Sequence, residues 1–104
     1  MVITKIEAQK KKGRYNIYLN DAFAFGVDEA TVVKYALFKG TELTKVQIKE
    51  IQQDDCIQQA YQKALHFLNF KLRSTKEVYE KLEKLEFDDD IINEVLGKLH
   101  EQNF

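Results

Sequence analysis

Between Gln59 and Leu99 three apolar stripes recur at steps of three and four residues, separated by polar signals that stop one helix and start the next. Each stripe leaves an apolar side that must be buried, so this half of the chain is confined to three short helices folded against one another. In the first, Ala60, Tyr61, Ala64, Leu65, Leu68 and Leu72 share one side. The second opens at Ser74, whose hydroxyl is placed to accept from a free backbone N–H while Glu77 reaches back, as in a capping box. Its apolar row is Val78, Leu82 and Leu85. The third opens on Asp88, Asp89 and Asp90, carboxylates suited to the positive end of a helix. It turns Ile91, Ile92, Val95, Leu96 and Leu99 inward.

The N-terminal half follows a different period. Val2, Thr4, Ile6 and Ala8 alternate with their neighbours as in a half-buried strand, and the run Gln9 to Gly13 ends it in a hairpin loop. A second strand, Arg14 to Asn20, places Tyr15, Ile17 and Leu19 on one face and Tyr18 on the other. Asn20 and Asp21 tolerate the positive φ of a two-residue turn, and a third strand from Ala22 to Val27 points Phe23, Phe25 and Val27 inward. Three antiparallel strands alone are marginal in water. The cover is a helix begun by Asp28 and Glu29, with Val32, Val33, Ala36 and Leu37 on its apolar side and Gly40 as its left-handed end. Thr41 to Leu43 is extended, and Thr44 with Gln47 forms a second capping box ahead of Ile48 and Ile51. The polar stretch Gln52 to Asp55 contains no Gly or Pro, so it is either a helix-to-helix joint or an exposed turn of one continuous helix, the second being slightly preferred. The fold expected is α+β: a β-rich subdomain over residues 1–43, then a helical region over 44–104 holding one three-helix repeat at about 57–102.

Composition narrows the function more by exclusion than by signal. The longest apolar run is far too short to span a bilayer and the Met1 end carries no apolar signal core, which makes the cytoplasm the expected location. Cys56 is the one cysteine, so an internal disulfide is impossible. The formal net charge of −1 argues against bulk attraction to nucleic acid, yet residues 1–20 hold five Lys/Arg against one Glu.

Candidate contact residues are correspondingly few. Lys10, Lys11, Lys12 and Arg14, beside Tyr15 and Tyr18, suit phosphates with a ring stacked on a base, but the preferred reading is a solvated hairpin loop whose charge keeps it soluble and discourages edge pairing. Lys71 and Arg73 lie at the first interhelical joint, where Arg73 either grips an acidic partner or meets the carbonyls of the helix before it. Asp88, Asp89 and Asp90 diverge in direction at a helix start and have no distant motif to complete a metal shell, so capping is their expected role. His66 and His100 lack ligand-pair spacing, and Cys56 has no group to orient a base towards it. With no phosphate loop, nucleophile elbow or zinc spacing, no catalytic residue, cofactor, metal or small-molecule substrate is expected. Recognition through surfaces is what remains.

The run Ala64-Leu65 to Leu72-Arg73-Ser74-x-x-Glu77-Val78, followed by Leu82, Phe87-Asp88, Ile91-Ile92 and Val95-Leu96-x-x-Leu99, resembles the first three-helix repeat of the RecX family. Ile3-Thr4-Lys5-Ile6, Gly13-Arg14-Tyr15, Phe23 to Val27 and Lys39-Gly40-x-Glu42-Leu43 look like the β-rich N-terminal segment of RecX proteins from Gram-positive bacteria. The resemblance implies a regulator that binds the RecA recombinase, or its filament on single-stranded DNA, and restrains recombination and co-protease activity in DNA repair and the SOS response. It also implies further three-helix repeats beyond Phe104, with weak direct DNA contact at most. The rival reading is a stand-alone nucleic-acid-binding module built on the basic N-terminal hairpin.

Overall fold

The computed structural model describes residues 1–68 and 74–102. Three antiparallel strands, β1 (Ile3–Ala8), β2 (Arg14–Leu19) and β3 (Ala22–Asp28), lie in the order β1-β2-β3. Among the described residues four helices follow: α1 (Glu29–Lys34), α2 (Lys45–Leu68), α3 (Thr75–Lys84) and α4 (Asp89–Glu101). The chain divides into two compact units, Met1–Asp55 and Cys56–Phe104, and α2 runs without a break through the division. The expected α+β architecture is present, with a continuous helix through Gln52 to Asp55.

In the first unit Asn20 and Asp21 both take positive φ, 50° and 68°, which gives the two-residue turn that matches the twist of its flanking strands. Two expectations about the strands change, for a single reason. Opposite Tyr18 each outer strand carries an extra residue: β1 pairs Ile3 with Leu19 but Lys5 with Tyr18, and β3 pairs Phe25 with Ile17 but Phe23 with Tyr18. Each bulge exchanges the faces of the residues on its two sides. Ile3, not Val2, is therefore wholly buried, and Phe23 stands outward at 58% exposure while Phe25 and Val27 remain inside. The inner face, Ile3, Ile17, Leu19, Phe25 and Val27, packs with Leu37, Leu43 and Ile51, and with Ile6, Tyr15, Val32, Tyr35 and Ile48 at its margin.

Helix α1 is shorter than the sequence suggests. It stops at Lys34, and the left-handed residue is Ala36 (φ 50°) rather than Gly40, which serves a later turn at φ 95°. The N–H of Leu37 donates to Val32 O and that of Ala36 to Val33 O, the paired bonds of a Schellman ending. Early termination puts Thr31 and Leu37 in the core and leaves Val33 exposed. The Thr44–Gln47 capping box forms as expected, through Gln47 N to Thr44 Oγ1 at 3.1 Å and Thr44 N to Gln47 Oε1 at 2.8 Å.

In the second unit Ile57, Ala60, Ala64, Val78, Leu82, Ile91, Ile92, Val95 and Leu99 form one core. Ser74 and Glu77 complete their reciprocal box at 3.0 and 3.1 Å. Leu85 leaves the expected apolar row: it is the C-cap of α3 and 40% exposed, because Glu86 turns left-handed (φ 67°) and brings Phe87 back towards the core instead. Phe87 N donates to Leu82 O and Glu86 N to Glu83 O, a second Schellman ending without glycine. A left-handed L-residue costs roughly 1–2 kcal/mol, while glycine loses about 0.4–1 kcal/mol through the freer unfolded chain. Ala36→Gly and Glu86→Gly are each expected to raise stability by about 0.5–1 kcal/mol in urea denaturation. A loss of stability in both would contradict the assigned endings.

Candidate functional site

The first unit holds one buried polar junction, and it accounts for one of the predicted contact residues. Arg14, first in β2, sends Nη1 to Asp28 Oδ1 at 2.9 Å and to Asp55 Oδ2 at 3.0 Å. The other oxygen of Asp55 accepts from the Asp28 N–H at 2.8 Å and from the Thr31 hydroxyl at 3.0 Å. The Arg14 side chain is only 16% exposed and that of Asp55 only 5%. Burial works against the Arg14 charge, but the hydrogen bonds it donates to Asp28 and Asp55 and their attraction outweigh it and hold the guanidinium above its ordinary pKa. Asp28 is engaged here, which explains why it begins α1 without a side-chain cap. Asp54 takes the neighbouring surface, pairing with Lys34 at 2.8 Å and accepting from the Tyr35 hydroxyl, a bond that pushes the phenol up to about 12. The polar stretch of α2 thus reads as exposed in the sequence although Asp55 is a buried anchor.

Lys10, Lys11 and Lys12 lie in the β1–β2 loop, all exposed, and none makes an ion pair among the described residues. Arg14 is thereby separated from the loop lysines in role. Tyr15 faces the core margin. Tyr18 stands on the opposite, outer face, its ring meeting Phe23 edge-on at 5.9 Å between centroids with an interplanar angle of 78°. Lys5 Nζ lies 5.2 Å from the Tyr18 centroid and 2.9 Å from Glu7. Hydrophobic alternation puts Phe23 inside; only the bulge opposite Tyr18, which alternation does not report, brings it to this row.

Lys71 and Arg73 lie outside the described residues. In the second unit the surface between α2 and α3 is lined by Phe67, Glu77, Glu80, Lys81 and Lys84, with Lys81 Nζ 5.8 Å from the Phe67 ring. Asp88 caps α4 without a side-chain bond, and Asp89 accepts from the Tyr79 hydroxyl, raising the Tyr79 pKa. Among the described residues no group of three or more His, Cys, Asp or Glu side chains is placed to hold a metal ion, and no helix is long and apolar enough to cross a membrane.

Comparison with known proteins agrees with this architecture unit by unit. Residues 1–44 match the family model of the regulatory protein RecX N-terminal domain, and residues 60–99 that of the first three-helix domain of RecX. Regulatory protein RecX of Leuconostoc mesenteroides is 45% identical over 102 residues, covering 98% of this chain and 38% of its own. The Bacillus subtilis protein of the same name is 44% identical over 103 residues, 98% of this chain and 39% of its own. A crystal structure of regulatory protein RecX superposes with a TM-score of 0.78 at 39% identity, over 98% of this chain and 50% of the other. The chain therefore spans about two-fifths of the length of these curated relatives.

Proposed function

Because the chain belongs to the RecX family of regulatory proteins, carrying its N-terminal domain and first three-helix domain in order, we propose that it acts by binding the RecA recombinase or the RecA filament on single-stranded DNA. Binding restrains recombination and co-protease activity, in the cytoplasm and within the DNA-repair and SOS responses. The observation that carries this reading is the match of both units to consecutive domains of one regulatory family.

The chemistry suits a regulator that works by contact. The second unit offers an outer surface of alternating charge, with Lys76 and Glu80 at 4.0 Å and the Lys63, Lys81, Glu77 and Glu80 side chains around Phe67. Such surfaces contribute little per contact. Repetition along a polymer adds effective concentration, so several weak contacts on one chain reinforce one another. A single copy of the unit is accordingly a weak binder.

The test measures ATP turnover by RecA on single-stranded DNA. Turnover is expected to fall as the 104-residue chain is added in excess, and two copies joined by a flexible linker act at a concentration ~100-fold lower. If turnover stays constant with both the single and the linked chains, the reading is rejected.

A further inference from the structure

We propose that the outer face of the three-stranded sheet is a binding platform for single-stranded nucleic acid, with Phe23 and Tyr18 as the stacking end and Lys10, Lys11 and Lys12 as the phosphate-holding end. The site extends beyond recombinase binding and does not depend on it.

The geometry begins with the bulges. Without them Phe23 would follow Phe25 and Val27 into the core; with them it joins Tyr18 and Lys5 in one cross-strand row on the solvent side. An aromatic residue at 58% exposure forgoes the stabilisation that burial of its ring brings. Tyr18 meets it edge-on at 5.9 Å between centroids, and more than half of the Phe23 surface still faces solvent. Lys5 sits 5.2 Å from the Tyr18 ring and is partnered by Glu7, which leaves this end almost neutral.

Charge selects the occupant. Residues 1–20 hold five Lys/Arg against one Glu, but Arg14 is consumed by Asp28 and Asp55, and Lys5 by Glu7. The positive charge left over is Lys10, Lys11 and Lys12, all in the loop at the other end of the same hairpin. Along β2 the distance from Tyr18 to that loop is about 13 Å at ~3.3 Å per residue. The floor between carries Gln9 and Asn16, joined at 2.8 Å, over Gly26, where a Cβ would come within 2.8 Å of the Gln9 amide nitrogen. An exposed ring at one end of the hairpin, a polar floor of Gln9 and Asn16 bordered by the Arg14 guanidinium, and the loop cations at the other end match the base, sugar and phosphate of an extended strand. A duplex hides its base faces, and an apolar protein surface has no use for three lysines.

The experiment titrates the 104-residue chain into a labelled twelve-nucleotide thymidine strand, its duplex with a complementary strand, and the corresponding uridine strand, with fluorescence anisotropy as readout and no recombinase present. Single strands are expected to bind more tightly than the duplex, and the two sugars indicate which nucleic acid is preferred. Phe23→Ala is expected to weaken single-strand binding by ~5- to 100-fold with the salt dependence unchanged. Phe23→Leu is expected to weaken it to the same degree, because leucine keeps apolar area but offers no π face. Lys10→Glu with Lys12→Glu is expected to reduce the slope of log K against log salt by at least ~1.4, two single-strand phosphate contacts. Far-UV circular dichroism keeps each variant's fold in view. Equal affinity for duplex and single strand with Phe23→Ala unaltered would mean charge alone binds, and full affinity in Phe23→Leu would mean that no ring stacks on a base; either overturns the platform. Absence of single-strand binding at low salt does so as well, and in every case the recombinase assay above stands or falls separately.

Discussion

Replacing Asp55 by alanine is expected to remove most of the folding stability of the first unit. Three groups lose an acceptor in one substitution: the Arg14 guanidinium, which keeps Asp28, the Asp28 N–H and the Thr31 hydroxyl, held by Asp55 at 3.0, 2.8 and 3.0 Å. Thr31 is 4% exposed, so water does not substitute for the lost acceptor. Breaking a buried ion pair from one side costs about 3–5 kcal/mol, since the remaining charge stays desolvated. A unit of this length has a total of only ~3–8 kcal/mol. Urea denaturation followed by far-UV circular dichroism reads the loss. Asp55→Asn, which keeps an acceptor oxygen and the side-chain volume, is expected to lose less. The double variant Arg14→Met with Asp55→Leu is expected to recover part of the stability, because it removes the Arg14 and Asp55 charges together although Asp28 and Thr31 lose their partners. If Asp55→Ala unfolds within 1 kcal/mol of the parent chain, the junction has no structural weight.

This junction also marks where sequence reasoning about the chain gave out. The strands, the Asn20–Asp21 turn, the two reciprocal caps at Thr44 and Ser74 and the order of the helices are local, set by residues two to four apart, and a single sequence displays such patterns directly. Arg14 and Asp55 are separated by forty-one positions. Nothing in a run of Gln and Asp on a helix distinguishes the carboxylate that points inward from those that face water. The bulges are hidden for a related reason: strict alternation is the only strand signal available, and one inserted residue reverses it, so alternation puts Phe23 in the core and prefers Val2 to Ile3. Helix ends behave likewise. Gly40 is the obvious terminator of α1, yet Ala36 and Glu86 take the left-handed positions because Leu37 and Phe87 gain burial by it. Tertiary packing outweighs a local cost of roughly 1–2 kcal/mol. The predicted contact residues divide accordingly, with Lys10, Lys11 and Lys12 on an open loop and Arg14 inside the structure.

Within the second unit, Ile92→Ala and Leu85→Ala separate what periodicity suggests from what packing decides. Both positions belong to apolar stripes, and by hydrophobicity alone the two losses would be alike. Ile92 is wholly buried, in a core that includes Leu82, Val95 and the helix α2 alanines and numbers nine among the described residues. Truncation there leaves a void that small helices cannot close without shifting, and the expected cost is about 2–5 kcal/mol. That is comparable with everything a unit of this size has. Leu85 is 40% exposed at the end of α3, so its removal gives up little apolar area and opens no cavity; a loss within ~0.5 kcal/mol is expected. Hydrogen exchange resolved by residue measures both. Ile92→Ala should accelerate exchange along α3 and α4 together, because one core holds them, while Leu85→Ala should affect at most the last turn of α3. Equal losses at the two positions would mean that the left-handed turn at Glu86 does not form and that Leu85 packs where Phe87 is now placed.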